Sequence, residues 1–497
     1  MTFLPRLLLV WVAFFSALPL RAASLQEEIT AFVTQPRFEG AIWSVKVVSL
    51  DSGVTLAEFQ PRVRQSPASN TKLYTGALAL TQLGGHYRIR TPLLATAPVQ
   101  PDGTLPGDLV IAGRGDPSWG ARETASEFWS VLARFVDAVK KAGVKHVRGD
   151  VVADGTWLRC PPDGESWTVD DMRNDFGAEI SGISLCDNFV ELRVAPAARA
   201  GEPCTVDVLE PHSGLTFVNR TVTLDEGESP TVQARRIFAT QTVELIGGVA
   251  LGAKPVKTEA PAPRPAQWFA VALREALIRA GIAVDGKARS AIWPEPPVAA
   301  DVTLATLESP HLRDLVAGFM KPSQNLETDL IFAHLGEQRR TSTTPASKRS
   351  DELALEALHA LLSEIGVPPN QVIFDEGSGL SRNNLTTAEA TVQLLRFMAA
   401  HGESEAFIAS LPIAGRDGSL AKRMRGTAAE GTVRAKTGGL RWAATLSGYA
   451  TTAGGERVAF SFMLNRHVGS AERRARDELD ALAVMLASSG APEKTTK

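Results

Sequence analysis

Ser69-Asn70-Thr71-Lys72-Leu73-Tyr74-Thr75-Gly76-Ala77-Leu78-Ala79-Leu80 sets a serine and a lysine ahead of a nearly unbroken apolar run that closes at Gly84-Gly85. The spacing predicts a buried helix opening at Ser69. Residues three apart on a helix share a face, so the Ser69 hydroxyl and the Lys72 amine are expected within hydrogen-bond reach. A serine becomes a strong nucleophile when a base takes its proton. An amine is a base only when unprotonated, and burial or a second cation lowers its pKa. The alkoxide would lie at the positive end of the helix dipole. Spacing alone is a weak signal, since chance supplies about one or two Ser-x-x-Lys in a chain this long, and Ser419-Leu420-Ala421-Lys422 is a second.

At 497 residues the chain exceeds what one core usually organises, so two or three domains are expected. A formal charge of -3 leaves no basic footprint, and no nucleic-acid partner is expected. Leu7 to Leu20 is almost wholly apolar behind one positive side chain, and Leu20-Arg21-Ala22-Ala23 supplies small residues for cleavage. Residues 1–23 therefore read as a secretory signal peptide. A membrane span needs roughly 20 apolar residues, and Pro19 and Arg21 interrupt this run. No later run is long and apolar enough to span, and the tail Ala491 to Lys497 is polar. The expectation is a periplasmic or otherwise extracytoplasmic protein without a transmembrane anchor after cleavage. Cys160, Cys186 and Cys204 would meet an oxidising compartment in which one disulfide could form; all three pairings stay open. No His-Glu-x-x-His or close Cys/His cluster occurs, so neither a metal nor a cofactor is expected.

Along the chain, Leu25 to Val33 reads as a helix, and Trp43 to Leu50 with Val54 to Phe59 as a hairpin about Asp51-Ser52-Gly53. After the Ser69 helix come a strand Tyr87 to Leu94, a strand Asp108 to Ala112 and a plain turn Gly113 to Pro117, which lacks the pattern of a phosphate loop. A helix Phe128 to Ala142 and a strand His146 to Ala153 complete a mixed texture. Strands including Asn188 to Val194, Thr205 to Val208 and Thr242 to Ile246 then run without a long helix. Pro255 to Pro265 has the composition of a linker, and a helix Gln267 to Ala280 and a strand near Ile282 to Asp285 follow. Beyond Pro294 helices dominate: one through Leu312, Leu315, Val316 and Phe319, a turn at Lys321 to Asn325, a second to about Glu337, then Asp351 to Ile365 and Thr387 to Ala400. Thr386 and Glu389 form a capping box for the last of these. Strands Thr432 to Thr437, Thr445 to Thr451 and Val458 to Leu464 and a helix Glu472 to Ser488 end the chain. The early hairpin and the three late strands are expected to form one antiparallel sheet.

Two further motifs join Ser69 and Lys72. Lys436-Thr437-Gly438 arises by chance in only about one chain in ten of this length. Ser323-Gln324-Asn325 lies on the helix-to-helix turn and is preferred to Ser381-Arg382-Asn383 for that reason. In that order the three motifs match the set of penicillin-binding proteins and serine β-lactamases. The order demotes Ser419, which follows Ser323 and stands just before Lys436. Ser69 would attack a carbonyl, Lys72 accept its proton and Ser323 relay a proton to the departing amine. Asn325 would bind the substrate backbone. Lys436 would attract a terminal carboxylate and help keep Lys72 neutral, and Thr437 would add a hydroxyl donor. Gly438 and Gly439 continue the strand beside the substrate, the N–H of Gly439 joining that of Ser69 in an oxyanion hole.

The chain resembles the D-alanyl-D-alanine carboxypeptidases of the low-molecular-mass class C penicillin-binding type, which also act as endopeptidases on peptidoglycan cross-links. The resemblance rests on the three motifs and on Gly113 to Pro117, Trp167 through Asp170-Asp171 to Phe176-Gly177-Ala178, Asp375 through Gly377-Ser378-Gly379-Leu380-Ser381-Arg382, and Ser447-Gly448-Tyr449. It implies an α+β fold, a penicillin-binding-protein or β-lactamase-like transpeptidase domain whose antiparallel sheet carries helices, with two nested inserted domains. About 250 residues separate Ser69 from Ser323, room for both insertions. The implied division is 24–86 with 300–490 for the catalytic domain, 87–183 with 258–299 for a mixed α/β insertion and 184–257 for a nested β-rich domain. Asp171, Phe176 and Arg382 are the implied contacts to the side chain of the substrate peptide; otherwise Asp171 is a solvated turn and Phe176 core packing. The implied partners are peptidoglycan stem peptides and, as covalent inhibitors, β-lactams. Gly439 stands where the family often has Ser or Thr, and Gln324 where it often has Asn or Asp. The rival functions are a serine β-lactamase-like hydrolase, for which no Glu-containing deacylation loop is evident, and a non-catalytic wall-binding protein, which would have no reason to retain all six polar motif residues.

Overall fold

The computed structural model describes residues 24–120, 125–470 and 473–490. The signal-peptide expectation and that of a polar tail fall outside the described residues.

The early hairpin, Ile42–Ser49 with Thr55–Phe59, is sutured to the far end of the chain. In the five-stranded antiparallel sheet the order is Val433–Leu440, Ala443–Thr451, Arg457–Asn465, Ile42–Ser49, Thr55–Phe59. The register sets Trp43 opposite Leu464, Val45 opposite Phe462 and Val47 opposite Phe460. These apolar residues and the helices Leu25–Val33 and Ala475–Ser488 make one core, with Ile29, Phe32, Leu479, Leu482 and Leu486 buried in it. On the sheet's other side Val48, Tyr449 and Ala459 join Leu73, Leu78, Phe319 and Leu335 from the helices Thr71–Leu83, Leu312–Met320 and Asn325–Gln338. Thr71 to Leu80 is buried without a break, so the helix behind Ser69 runs through the middle of this layer. Burial of each large apolar side chain stabilises by about 1.5–3 kcal/mol.

Between Leu83 and Leu312 the chain builds a second five-stranded sheet, in the order Ala288–Ala291, Val151–Asp154, Leu109–Ala112, Arg90–Ala95, Val302–Glu308. Phe128 and Phe135 of the helix Ala125–Lys141 and Trp268 and Phe269 of the helix Pro265–Arg279 pack in its core. Small sheets between Phe189 and Pro261, and a three-stranded one of Ala283–Val284, His146–Val147 and Thr104–Leu105, form the remainder. Val302–Glu308, expected in the catalytic part, pairs with Arg90–Ala95 in this sheet. We therefore propose that the chain returns from the insertion near Ser309 rather than at residue 299.

Four local expectations are corrected. Pro255 to Pro265 is not a linker: Val256–Pro261 pairs antiparallel with Phe189–Ala195 as the edge strand of its sheet. An edge tolerates the missing N–H of Pro261, and Pro265 starts a helix, where that N–H has no helical partner to lose. His146 to Ala153 is two short strands in different sheets, His146–Val147 and Val151–Asp154. Thr387, not Thr386, caps its helix by accepting from the Ala390 amide at 3.0 Å; Thr386 faces the Tyr74 hydroxyl at 2.8 Å and Glu389 pairs with Lys46 at 3.3 Å. Neither Cys160 nor Cys204 takes part in a disulfide.

Candidate active site

Ser69 sits in the tight turn Ala68–Asn70 that leads into Thr71–Leu83. Ala68 is fully buried at φ 47, a left-handed conformation costing a non-glycine residue roughly 1–2 kcal/mol. Two glycines let the surroundings close on it. A Cβ on Gly379 would stand 2.0 Å from the Ala68 carbonyl oxygen, and one on Gly438 would stand 2.5 Å from that of Pro67.

Lys72 is fully buried. Its Nζ donates to Asn325 Oδ1 at 2.6 Å and to the Ser378 carbonyl at 2.6 Å, and lies 3.2 Å from Ser69 Oγ. Burial pushes the amine down to about 8, against the pull of Asp329 and Glu376. A neutral amine has two N–H bonds and one lone pair. The two acceptors consume both hydrogens, which leaves the lone pair for the Ser69 hydroxyl. Asn325 cannot turn its amide round without loss, because its Nδ2 donates to the Phe176 carbonyl at 2.9 Å.

Ser323 stands in the expected turn at φ 72, and Asn325 opens the next helix. Lys436 lies within the strand Val433–Leu440 rather than at its end. Its Nζ donates to Ser323 Oγ at 2.7 Å and to the Thr437 carbonyl at 2.9 Å. The Lys436 amine is held well below the usual lysine range, by burial first and then by the charges of Lys72 and Arg423. Burial, more than Lys436, accounts for the low pKa of Lys72. Gly439 is open, with nothing within 4 Å of a Cβ placed there, so the missing family hydroxyl leaves room in the cleft.

Of the rivals, Ser381 is buried and shares a hydrogen bond with Ser166 at 2.7 Å while donating to Asp375 at 3.1 Å. Ser419 is at the site after all, its hydroxyl 2.7 Å from that of Thr437, while Lys422 is exposed.

Asp171 is neither a solvated turn nor an exposed carboxylate. It is 4% exposed, accepts from the Thr168 amide at 2.7 Å and is held by both arms of Arg382. The guanidinium fork fits a carboxylate at two points, and the pair buries the acid that sequence reasoning left free. Phe176 is 41% exposed, so core packing does not account for it. Asp329, Glu376 and Ser378 were not singled out as site residues. Asp329 lies four residues after Asn325 on one helix, which is the signal that could have found it. Among the described residues no cluster of His, Cys, Asp or Glu is placed to hold a metal ion.

Residues 25–486 match the sequence profile of the D-Ala-D-Ala carboxypeptidase 3 (S13) family. A D-alanyl-D-alanine carboxypeptidase of Actinomadura sp. (strain R39) is 33% identical over 488 residues, covering 95% of this chain and 87% of the relative. The D-alanyl-D-alanine carboxypeptidase DacB of Haemophilus influenzae is 26% identical, covering 87% of each. The crystal structure of penicillin binding protein 4 (dacB) from Haemophilus influenzae superposes with a TM-score of 0.75 at 24% identity, over 92% of this chain and 97% of that one.

Proposed function

We propose, for a chain that belongs to the D-Ala-D-Ala carboxypeptidase 3 (S13) family and is a serine-type D-alanyl-D-alanine carboxypeptidase, that Ser69 is the nucleophile and Lys72 its base. The observation that carries this is the geometry at Lys72, whose Nζ lies 2.6 Å from each of two acceptors and 3.2 Å from Ser69 Oγ, so that in the neutral amine both hydrogens are taken and the lone pair is left for Ser69.

Ser69 attacks the carbonyl of the penultimate D-alanine as Lys72 takes the hydroxyl proton. The oxyanion that forms is received by the backbone N–H groups of Ser69 and Gly439. Ser323, polarised by Lys436, gives its proton to the departing D-alanine amine and takes in its place the proton that Lys72 accepted from Ser69, so that Lys72 is neutral again. Buried and committed to Ser323 and the Thr437 carbonyl, Lys436 does not reach the terminal carboxylate directly, and the hydroxyls of Thr437 and Ser419 supply the direct donors. Asn325 keeps Lys72 oriented, and Gly438 admits the strand against the Ser69 turn. Water then enters the acyl-enzyme and the steps run in reverse.

Phe176 and the partly exposed Arg382, braced by Asp171, flank the cleft and receive the side chain of the peptidoglycan stem peptide. Cleavage of cross-links as well as of terminal D-alanine follows, since both bonds are D-alanyl amides. β-Lactams acylate the same serine; a solved structure of the Haemophilus influenzae penicillin binding protein 4 is complexed with a β-lactam. Such substrates lie outside the cytoplasm, which accords with the apolar leader in residues 1–23, and no helix among the described residues is long and apolar enough to cross a membrane. The test is release of free D-alanine from a stem peptide ending in D-alanyl-D-alanine. The unaltered protein is expected to release it and Ser69→Ala to release none; release by both would overturn the assignment of Ser69.

A further inference from the structure

Two buried carboxyl groups stand behind Lys72, and the mechanism above gives neither a task. Asp329 and Glu376 are 4% and 5% exposed. Asp329 follows Asn325 by four residues on the helix Asn325–Gln338, so it shares the face that meets Lys72. Glu376 belongs to the loop whose Ser378 carbonyl accepts from Lys72.

Their hydrogen bonds differ in kind. Glu376 accepts from the Ser378 amide at 3.0 Å, from the Ser378 hydroxyl, from the Gly379 amide at 2.8 Å and from Asn384 Nδ2 at 2.6 Å. Four donors converge on this carboxyl, two on each oxygen. Asp329 accepts from the Gly377 amide at 3.2 Å, whereas its buried Oδ2 receives no hydrogen bond among the described residues. The Asp329 carboxyl also lies against the Ser378 hydroxyl, which donates to Glu376, and against Glu376 itself; burial followed by the charge of Glu376 holds it well above the ordinary range. A proton on Asp329, donated to Glu376, satisfies the orphaned oxygen and removes one of two like charges.

We propose that Asp329 and Glu376 are positioning residues that share one proton and one negative charge, and that this charge stabilises the Lys72 ammonium formed when Ser69 is deprotonated. The inference rests on the assignment of Ser69 and Lys72. The balance is simple. The Ser69 proton moves to the Lys72 lone pair, the Ser69 oxygen pair forms the bond to the carbonyl carbon, and the shared carboxyl proton stays where it is. Net charge behind Ser69 goes from one negative to neutral as Lys72 charges. Glu376 also fixes Ser378, so the group that stabilises the ammonium anchors one of the two acceptors that aim the amine. The other basic groups near this cluster are Lys436 from the strand Val433–Leu440 and, beyond it, Arg423, so the carboxyl pair supplies the negative charge there.

The test is the pH dependence of acylation by a penicillin in single-turnover experiments on the full protein. The unaltered protein is expected to accelerate with pH up to a limb near 8. Glu376→Gln removes the charge, so the limb should move down by about one unit or more and the plateau rate should fall about tenfold, because a less basic amine takes a proton less readily. Asp329→Asn should give a smaller shift in the same direction, since it loses the carrier of the shared proton and retains Glu376. Glu376→Asp should restore the limb. Limbs unmoved in folded variants would overturn the proposal, as would a Glu376→Asp protein that behaves like Glu376→Gln. Should the variants not fold, infrared difference spectra of the unaltered protein on acylation decide. A protonated-carboxyl band that shifts supports the shared proton, and a silent carboxyl region overturns it. Failure of the unaltered protein to be acylated at all would instead remove the assignment of Ser69, and this inference with it.

Discussion

Both arms of the Arg382 guanidinium close on Asp171, Nη1 on Oδ2 at 2.5 Å and Nη2 on Oδ1 at 3.0 Å. The pair ties the Thr168 to Phe176 segment to the loop that carries Glu376 and Ser378. Asp171→Asn is therefore expected to cost stability as well as substrate selection. Breaking a fully buried pair costs several kcal/mol, but the Arg382 side chain is 37% exposed, so about 1–2 kcal/mol is expected. Urea unfolding at neutral pH measures it, and an unchanged midpoint would mean that the fork contributes nothing.

Adjacent glycines should respond in opposite ways. A methyl group on Gly438 would meet the Thr445 hydroxyl at 2.1 Å and the Pro67 carbonyl at 2.5 Å, whereas one on Gly439 would meet nothing. Gly438→Ala should push the strand off the Ser69 turn and lower penicillin acylation about a hundredfold, while Gly439→Ser should retain it within a few fold. Equal acylation rates for the two variants would show that the strand does not seat on that turn.

These contrasts mark what was legible in the sequence. The helix Leu25–Val33 followed from the periodicity of its buried Ile29, Phe32 and Val33, and the strands at both chain ends from apolar residues and the turns between them, although their sheet carries a core on each face. Ser69, Lys72, Ser323, Asn325 and Lys436 could be named from spacing, and the fold brings Ser69 and Asn325 to Lys72 and Ser323 to Lys436. Val256–Pro261 was illegible because it runs into the Ala-Pro-Ala-Pro-Arg-Pro stretch ending at Pro265, which resembles a linker, and pairing with Phe189–Ala195 is a long-range event that no local pattern records. The burial of Asp171 was illegible for the same reason: its partner lies 211 residues away. So were the roles around Lys72, since Asp329, Ser378 and Glu376 reach it only through the packing of the helix Asn325–Gln338 and the 375–382 loop against the Ser69 helix.

His334 should make the protein sensitive to mild acid. It is buried in the helix Asn325–Gln338, where its Nδ1–H donates to the Arg114 carbonyl at 2.8 Å and its Nε2 accepts from the Tyr87 hydroxyl at 2.8 Å. Burial holds the ring down to about 4, against an ordinary 6.5. Between these values the unfolded chain binds a proton that the folded one refuses, so stability falls as the pH drops through that window. From pH 7 to pH 5 the loss attributable to His334 should be about 2 kcal/mol. Comparison of urea unfolding with His334→Gln isolates it; equal pH dependence in the two proteins would contradict the assignment.

The two buried lysines should separate. Lys72→Ala should lose acylation about a thousandfold or more at every pH, because among the described residues Lys72 is the base in contact with the Ser69 hydroxyl. Lys436→Ala removes the donor to Ser323 and should slow acylation about a hundredfold while retaining its rise with pH, since Lys72 is intact. Stopped-flow acylation across pH 6 to 10 distinguishes them, and a Lys72→Ala protein that still accelerates with pH would place the base elsewhere.

The central claim is that one serine, Ser69, takes the acyl group, and it is tested most directly by mass spectrometry of the penicillin-treated protein after proteolysis. A single adduct on the peptide containing Ser69, absent in Ser69→Ala, is the predicted result. An adduct on the peptide containing Ser419 or Ser381, or one that persists in Ser69→Ala, would contradict it.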